Sequence, residues 1–121
     1  MASEGHNRLR WHIEDMLAYA REAVRIFGGR GLKAIEEDRT SQLAVIRCLE
    51  ILGEAANRIP AETRAGWQNI PWREIISTRH RLVHGYDSIS LEVVLAILEK
   101  DLPDLIPKLE AILSGLPEED G

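Results

Sequence analysis

The chain has 121 residues, 45% of them hydrophobic and 29% charged, with 15 Lys and Arg against 20 Asp and Glu. That is one domain of ordinary globular composition, too apolar and too weakly charged for disorder. A single cysteine, Cys48, excludes an intrachain disulfide and a cysteine-built metal site, and a net charge of −5 excludes a general cationic coat for nucleic acid.

Met1 to Arg10 is polar and lacks the apolar run of a signal peptide. No window approaches the ~20 apolar residues that cross a bilayer. The expectation is a cytoplasmic protein with no membrane partner. From Leu9 to Phe27, apolar residues recur at steps of three and four (Leu9, Ile13, Met16, Leu17, Ala20, Val24, Phe27), one stripe of an amphipathic helix. Gly28 and Gly29 end it, because glycine takes the left-handed conformation cheaply. Leu32 to Glu37 predicts a short helical turn. Asp38, Thr40 or Ser41 caps a second long helix that runs to about Asn57 and stops before Pro60.

That second helix is apolar around nearly its whole circumference, from Ala44 to Ala56. Such a helix is buried on more than one side. In so small a bundle the expectation is that one side faces the chain's own core and the other a second subunit. A tightly packed monomer accounts for the same pattern. Gly53, which weakens the helix by roughly 1 kcal/mol relative to alanine, lets another helix approach closely.

Residues 60–71 read as a connector with a helical turn at Ala61–Ala65, folded back through Trp67 and Ile70. A third helix starts near Pro71–Trp72 and ends at Gly85. Ser88 or Ser90 caps a fourth, ended or kinked by Pro103, and a last helix carries Leu105 to Leu113. No period-2 strand signal occurs. The predicted fold is an all-α up-down bundle of four to five helices, a homodimer, with a core at about 8–114 and a flexible acidic tail at 115–121.

Glycine-rich phosphate loops and nucleophile elbows are absent, and the acidic clusters read as solvated faces. Ser77 to Asp87 stands apart: two arginines, two of the four histidines and one of the two tyrosines lie there, opposed by Asp87 alone. The helix C-terminus favours protonated histidine. Histidine can take a proton from a ribose 2′-hydroxyl or return one to a leaving oxygen, and arginine stabilises charge developing on a phosphoryl group. Arg79 and His84 therefore suit metal-free phosphodiester cleavage. One His84 cannot be acid and base at once, and five residues turn about 140° around a helix, so a second copy is needed to complete the cleft. A plain helix end, with a capping histidine and surface arginines, fits the same residues. His80 and His84 also have metal-ligand spacing, but two ligands per chain do not make a site. Neither a metal nor a cofactor is expected.

The residues Arg79-x4-His84-x-Tyr86 resemble the signature of the HepT branch of the HEPN superfamily, ribonuclease toxins paired with a minimal nucleotidyltransferase antitoxin. Ordered blocks along the chain share the resemblance: Ile13–Leu17, Ala44–Arg47, Ile51–Ala56, Ile70–Ile75 and Asp101–Leu105. The resemblance implies a dimeric α-helical bundle whose two motifs line one cleft. It implies Arg79 and His84 as catalytic residues of a metal-independent endoribonuclease cutting RNA, the toxin of a type VII toxin-antitoxin system. It implies Tyr86 as the residue to which the nucleotidyltransferase transfers AMP, silencing the toxin. His80 stands where this branch usually has asparagine. His80, Arg81, Glu54 and Arg47 are expected to bind substrate or to support the site from behind or at the interface. The contrasting expectation is a catalytically silent helical module that binds a nucleotide or a nucleotidyltransferase.

Overall fold

Glycines after a long amphipathic stripe should turn the chain back on itself, and they do. The computed structural model describes residues 2–85 and 90–117; for residues 2–7 and 85 it describes the backbone alone. Helix α1 (Ala2–Phe27) ends at Gly28 and Gly29, whose φ angles of 61° and 72° are left-handed. The helix starts seven residues before the apolar stripe at Leu9, so its first two turns are an extension beyond the stripe that packs on the bundle. Helix α2 (Leu32–Glu36) follows.

Arg30 joins this corner to the next helix. Its Nε and one Nη donate to the carbonyls of Phe27 (2.9 Å) and Ile26 (2.7 Å), while the other Nη meets Asp38 at 2.8 Å. Asp38 in turn accepts from the backbone N–H of Ser41 at 3.0 Å, which makes it the N-cap of α3 (Arg39–Arg58). The Arg30 hydrogen bond, then those from Ser41, hold the Asp38 carboxyl down at about 2.

Helix α3 buries Val45, Cys48, Leu49, Leu52, Gly53, Ala55 and Ala56. It packs on α1 along one side and on α5 (Trp72–Gly85) along another. The second apolar side, assigned from sequence to a second subunit, thus belongs largely to α5 of the same chain. The pattern on α3 does not by itself require a partner. Burial pushes the Cys48 thiol up, as befits an inert core cysteine.

Between them lies α4 (Ala61–Arg64) and a connector that folds back as expected: Ile70 is buried, and the Trp72 indole donates to the Trp67 carbonyl at 3.0 Å. Lys108 ties this connector to the last helix by donating to the Asn69 carbonyl at 3.0 Å.

Ser90 caps α6 (Leu91–Ala96) by accepting from Val93 N–H at 3.2 Å. The helices on either side of Pro103 are not separate. A π-helical turn at Ile97–Asp101 carries α6 directly into α7 (Leu102–Gly115). Pro103 has no N–H to give to residue 99, and its ring would crowd that carbonyl, so the widened turn accommodates it without breaking the run. Arg10 clasps the far end, donating to the carbonyls of Leu116 (3.2 Å) and Pro117 (2.9 Å).

The order across the bundle is α7, α1, α3, α5: α1 packs between α7 and α3, and α5 packs chiefly on α3 at the edge. The described residues contain no strand, and none of their helices is long and apolar enough to cross a membrane. The acidic end Glu118–Gly121 lies outside the described residues.

Asp38 ionises more readily folded than unfolded. Its contribution to stability is therefore complete above the unfolded carboxylate value of about 4 and fades as pH falls toward 2. Asp38→Ala should lower Tm at pH 7, and the gap between the two proteins should close in melts taken from pH 5 down to pH 2.

Candidate active site

Because α5 lies at an edge, it buries only one stripe. Trp72 and Leu82 are buried, Ile75 and Arg79 half-buried, and His80, Arg81 and His84 exposed. Arg79 thus sits in the packed stripe, with its stem against α3. The reason is Gly53. A Cβ there would overlap that of Arg79, lying 2.8 Å from its Cγ and 3.1 Å from the Ile75 carbonyl oxygen. Only glycine lets α5 come this close, the approach expected from sequence. The helix that uses it is the one carrying the motif.

The Nε of Arg79 is shut away from solvent with no hydrogen-bond partner among the described residues. A buried donor left unpaired costs about 1–3 kcal/mol. Its guanidinium opens onto a groove of about 900 Å³. The groove runs between α5 and the α4 connector, and His80, Arg64, Arg73, Asn57 and Gln68 also line it. No carboxylate pairs with Arg73, Arg79 or Arg81 among the described residues. Arg64 gives no signal in the sequence, and Arg73 enters only as one residue of the Ile70–Ile75 block. They lie nine residues apart on different elements, and only the folded connector brings them together.

His80 and His84 are neighbours, with ring centroids 4.6 Å apart and planes tilted by 52°. His84 is exposed and does not line the groove. It lies about 140° around the axis from Arg79. One chain therefore brings Arg79 and His80 to one groove and joins His84 to them only through His80. Among the described residues no three potential metal ligands of the His, Cys, Asp and Glu type assemble. Arg47 and Glu54 do not line the groove either. Arg47 pairs with Glu50 at 3.5 Å, and Glu54 with Arg58 at 2.7 Å, as ordinary surface pairs along α3. Tyr86, like Asp87 and Ser88, lies outside the described residues.

Residues 16–112 match the family described as ribonuclease HepT-like. "Probable ribonuclease HepT" from Thermococcus cleftensis is 39% identical over 75 residues, covering 62% of this chain and 68% of that protein. "Putative RNase MJ0125" from Methanocaldococcus jannaschii is 28% identical over 106 residues, covering 88% and 91%. No solved structure matches.

Gly53→Ala tests the contact that seats Arg79. Alanine gains roughly 1 kcal/mol of helix propensity, but overpacking of this kind costs about 1–3 kcal/mol. The variant should melt lower than the parent. Adding Arg79→Ala should recover little of the loss, because alanine at 79 keeps the Cβ that the new methyl overlaps.

Proposed function

Since the chain belongs to the ribonuclease HepT-like family, we propose that it is a metal-independent endoribonuclease that cuts RNA at a site shared between two copies in a homodimer. The observation that carries this reading is Arg79: an arginine seated by Gly53, unpaired by any described carboxylate, and lining a groove together with His80, whose ring neighbours that of His84.

His84 of one protomer takes the proton of the ribose 2′-hydroxyl. The 2′-oxygen attacks phosphorus, the bond to the 5′-oxygen breaks, and His84 of the partner subunit gives that oxygen a proton. A 2′,3′-cyclic phosphate and a free 5′-hydroxyl result, with no metal in the balance. Arg79 stabilises the extra negative charge on the phosphoryl oxygens as it develops. His80 and Arg81 contact the RNA, while Arg47 and Glu54 act from the α3 surface. Separation of Arg79 and His84 around α5 favours a shared site.

The biological reading is a cytoplasmic toxin of a type VII toxin-antitoxin pair. A cognate minimal nucleotidyltransferase transfers AMP to Tyr86. The added anion is carried two residues along the chain from His84 and five from Arg81, and competes with the RNA phosphate for the arginines.

Purified protein should cleave RNA in EDTA, and His84→Ala or Arg79→Ala should reduce the rate by at least about a hundredfold while leaving a folded dimer. Mixed dimers holding one His84 should be as slow as the double variant. Retention of half the activity would mean that each chain works alone, and loss in EDTA would mean a metal mechanism.

Co-expression with a neighbouring nucleotidyltransferase should add AMP to the peptide containing Tyr86 and abolish cleavage. Tyr86→Phe should escape both effects. Undiminished inhibition of Tyr86→Phe would mean silencing by complex formation.

A further inference from the structure

The groove extends well past the motif. Arg79 and His80 stand at one part of its wall, and Arg64 and Arg73 line it too. Arg64 is pre-set: its Nε donates to the Ile59 carbonyl at 2.9 Å, which fixes the stem and leaves both Nη groups to face a ligand. Arg73 makes no ion pair or hydrogen bond among the described residues. Glu74 is the one carboxylate among the described residues lining the groove, so the groove is cationic in a chain whose net charge is −5.

Its other surfaces are not those of a simple anion trap. Half-buried Ile76, exposed Pro71 and buried Trp72 also line the groove, giving apolar area on which a base can lie. Asn57 and Gln68 line it too, exposed and with no side-chain partners among the described residues, each able to donate to and accept from a base edge. At about 900 Å³ the groove is far larger than one phosphate needs. A duplex keeps its bases stacked inside and offers a concave wall only its phosphates. A single strand can splay its bases onto the floor while its backbone follows the guanidinium groups.

We propose that this groove holds the single-stranded RNA flanking the scissile phosphate, with Arg64 and Arg73 gripping backbone phosphates and Asn57 and Gln68 facing the bases. The assignment rests on the ribonuclease reading for the identity of the anion. It makes Arg64 and Arg73 binding residues that act on substrate affinity and leave the chemical step to Arg79 and His84.

The test uses a short fluorescein-labelled single-stranded RNA and full-length protein carrying His84→Ala, so that the probe survives. Anisotropy titrations across a salt series compare this parent with added Arg73→Gln, with Arg64→Gln and Arg73→Gln together, and with Arg73→Lys. The paired substitution should weaken binding about tenfold and flatten the slope of log affinity against log salt by about 1.4, near 0.7 per lost phosphate contact. Arg73→Gln removes no described intramolecular bond, so it should give half of that flattening without any change in melting. Arg73→Lys should keep the parent slope. Parent-like affinity and slope in the paired variant would overturn the assignment. So would an equal loss for duplex RNA of the same sequence, or a loss confined to binding of an acidic protein partner. Cleavage by the protein with His84 intact is scored separately. RNA cut normally by wild type, with the paired variant binding like its parent, rejects the groove and keeps the ribonuclease. Weakened RNA binding by the paired variant, together with a wild type that cuts nothing, keeps the groove and rejects the ribonuclease.

Discussion

The closeness of α5 to α3 is the constraint from which the rest of the site follows. It exists because residue 53 has no side chain and residue 79 fills the space with an aliphatic stem. Arginine suits such a place, since its methylenes pack like an apolar side chain while its head remains at the edge. A helix held along so narrow a stripe leaves most of its circumference to solvent. His80, Arg81 and His84 can all be displayed without disturbing the core. The same contact fixes where α5 stands relative to the α4 connector, and so how wide the groove between them is. Trp72 and Ile70, buried at the start of α5, hold the near end.

Electrostatics follow a simple division. Arginines outside the α5 region are mostly neutralised within the fold: Arg21 by Glu110, Arg25 by Glu22, Arg30 by Asp38, Arg47 by Glu50 and Arg58 by Glu54. Arg10 is spent on the carbonyls at the end of α7. Those on α5 meet no carboxylate among the described residues. An acidic molecule can in this way carry a locally cationic face, because ion pairs elsewhere screen each other over a few ångströms while the unpaired guanidinium groups keep their field.

Much of this was legible in the sequence, for local reasons. The stripe of α1, its two-glycine stop, the Asp38 cap and the start of α5 near Pro71–Trp72 are all set by residues within one or two helical turns. Gly53 announced a close approach, but not whose. An apolar circumference records how many sides are covered and says nothing about which chain covers them, so the role of α5 was invisible. Pro103 reads as an end or a kink, because a proline signal carries no information on whether a π turn can absorb it. The Arg10 clasp and the groove formed by Arg64 and Arg73 depend on side chains brought together from distant positions, with no periodicity to mark them. Arg79 and His84 stand out by residue type, whereas their angular separation around α5 follows from helix geometry.

The unpaired Nε of Arg79 also bears on how the fold can drift. A buried donor with nothing to bond is a standing local frustration, and an apolar residue of similar length, such as methionine, would fill the space over Gly53 without it. Stability alone therefore favours replacement of the residue to which the proposed chemistry is assigned. Copies of this bundle released from selection for cleavage would be expected to lose Arg79 early and to become more robust as they do so, turning into sturdier inert helices that keep the rest of the fold intact.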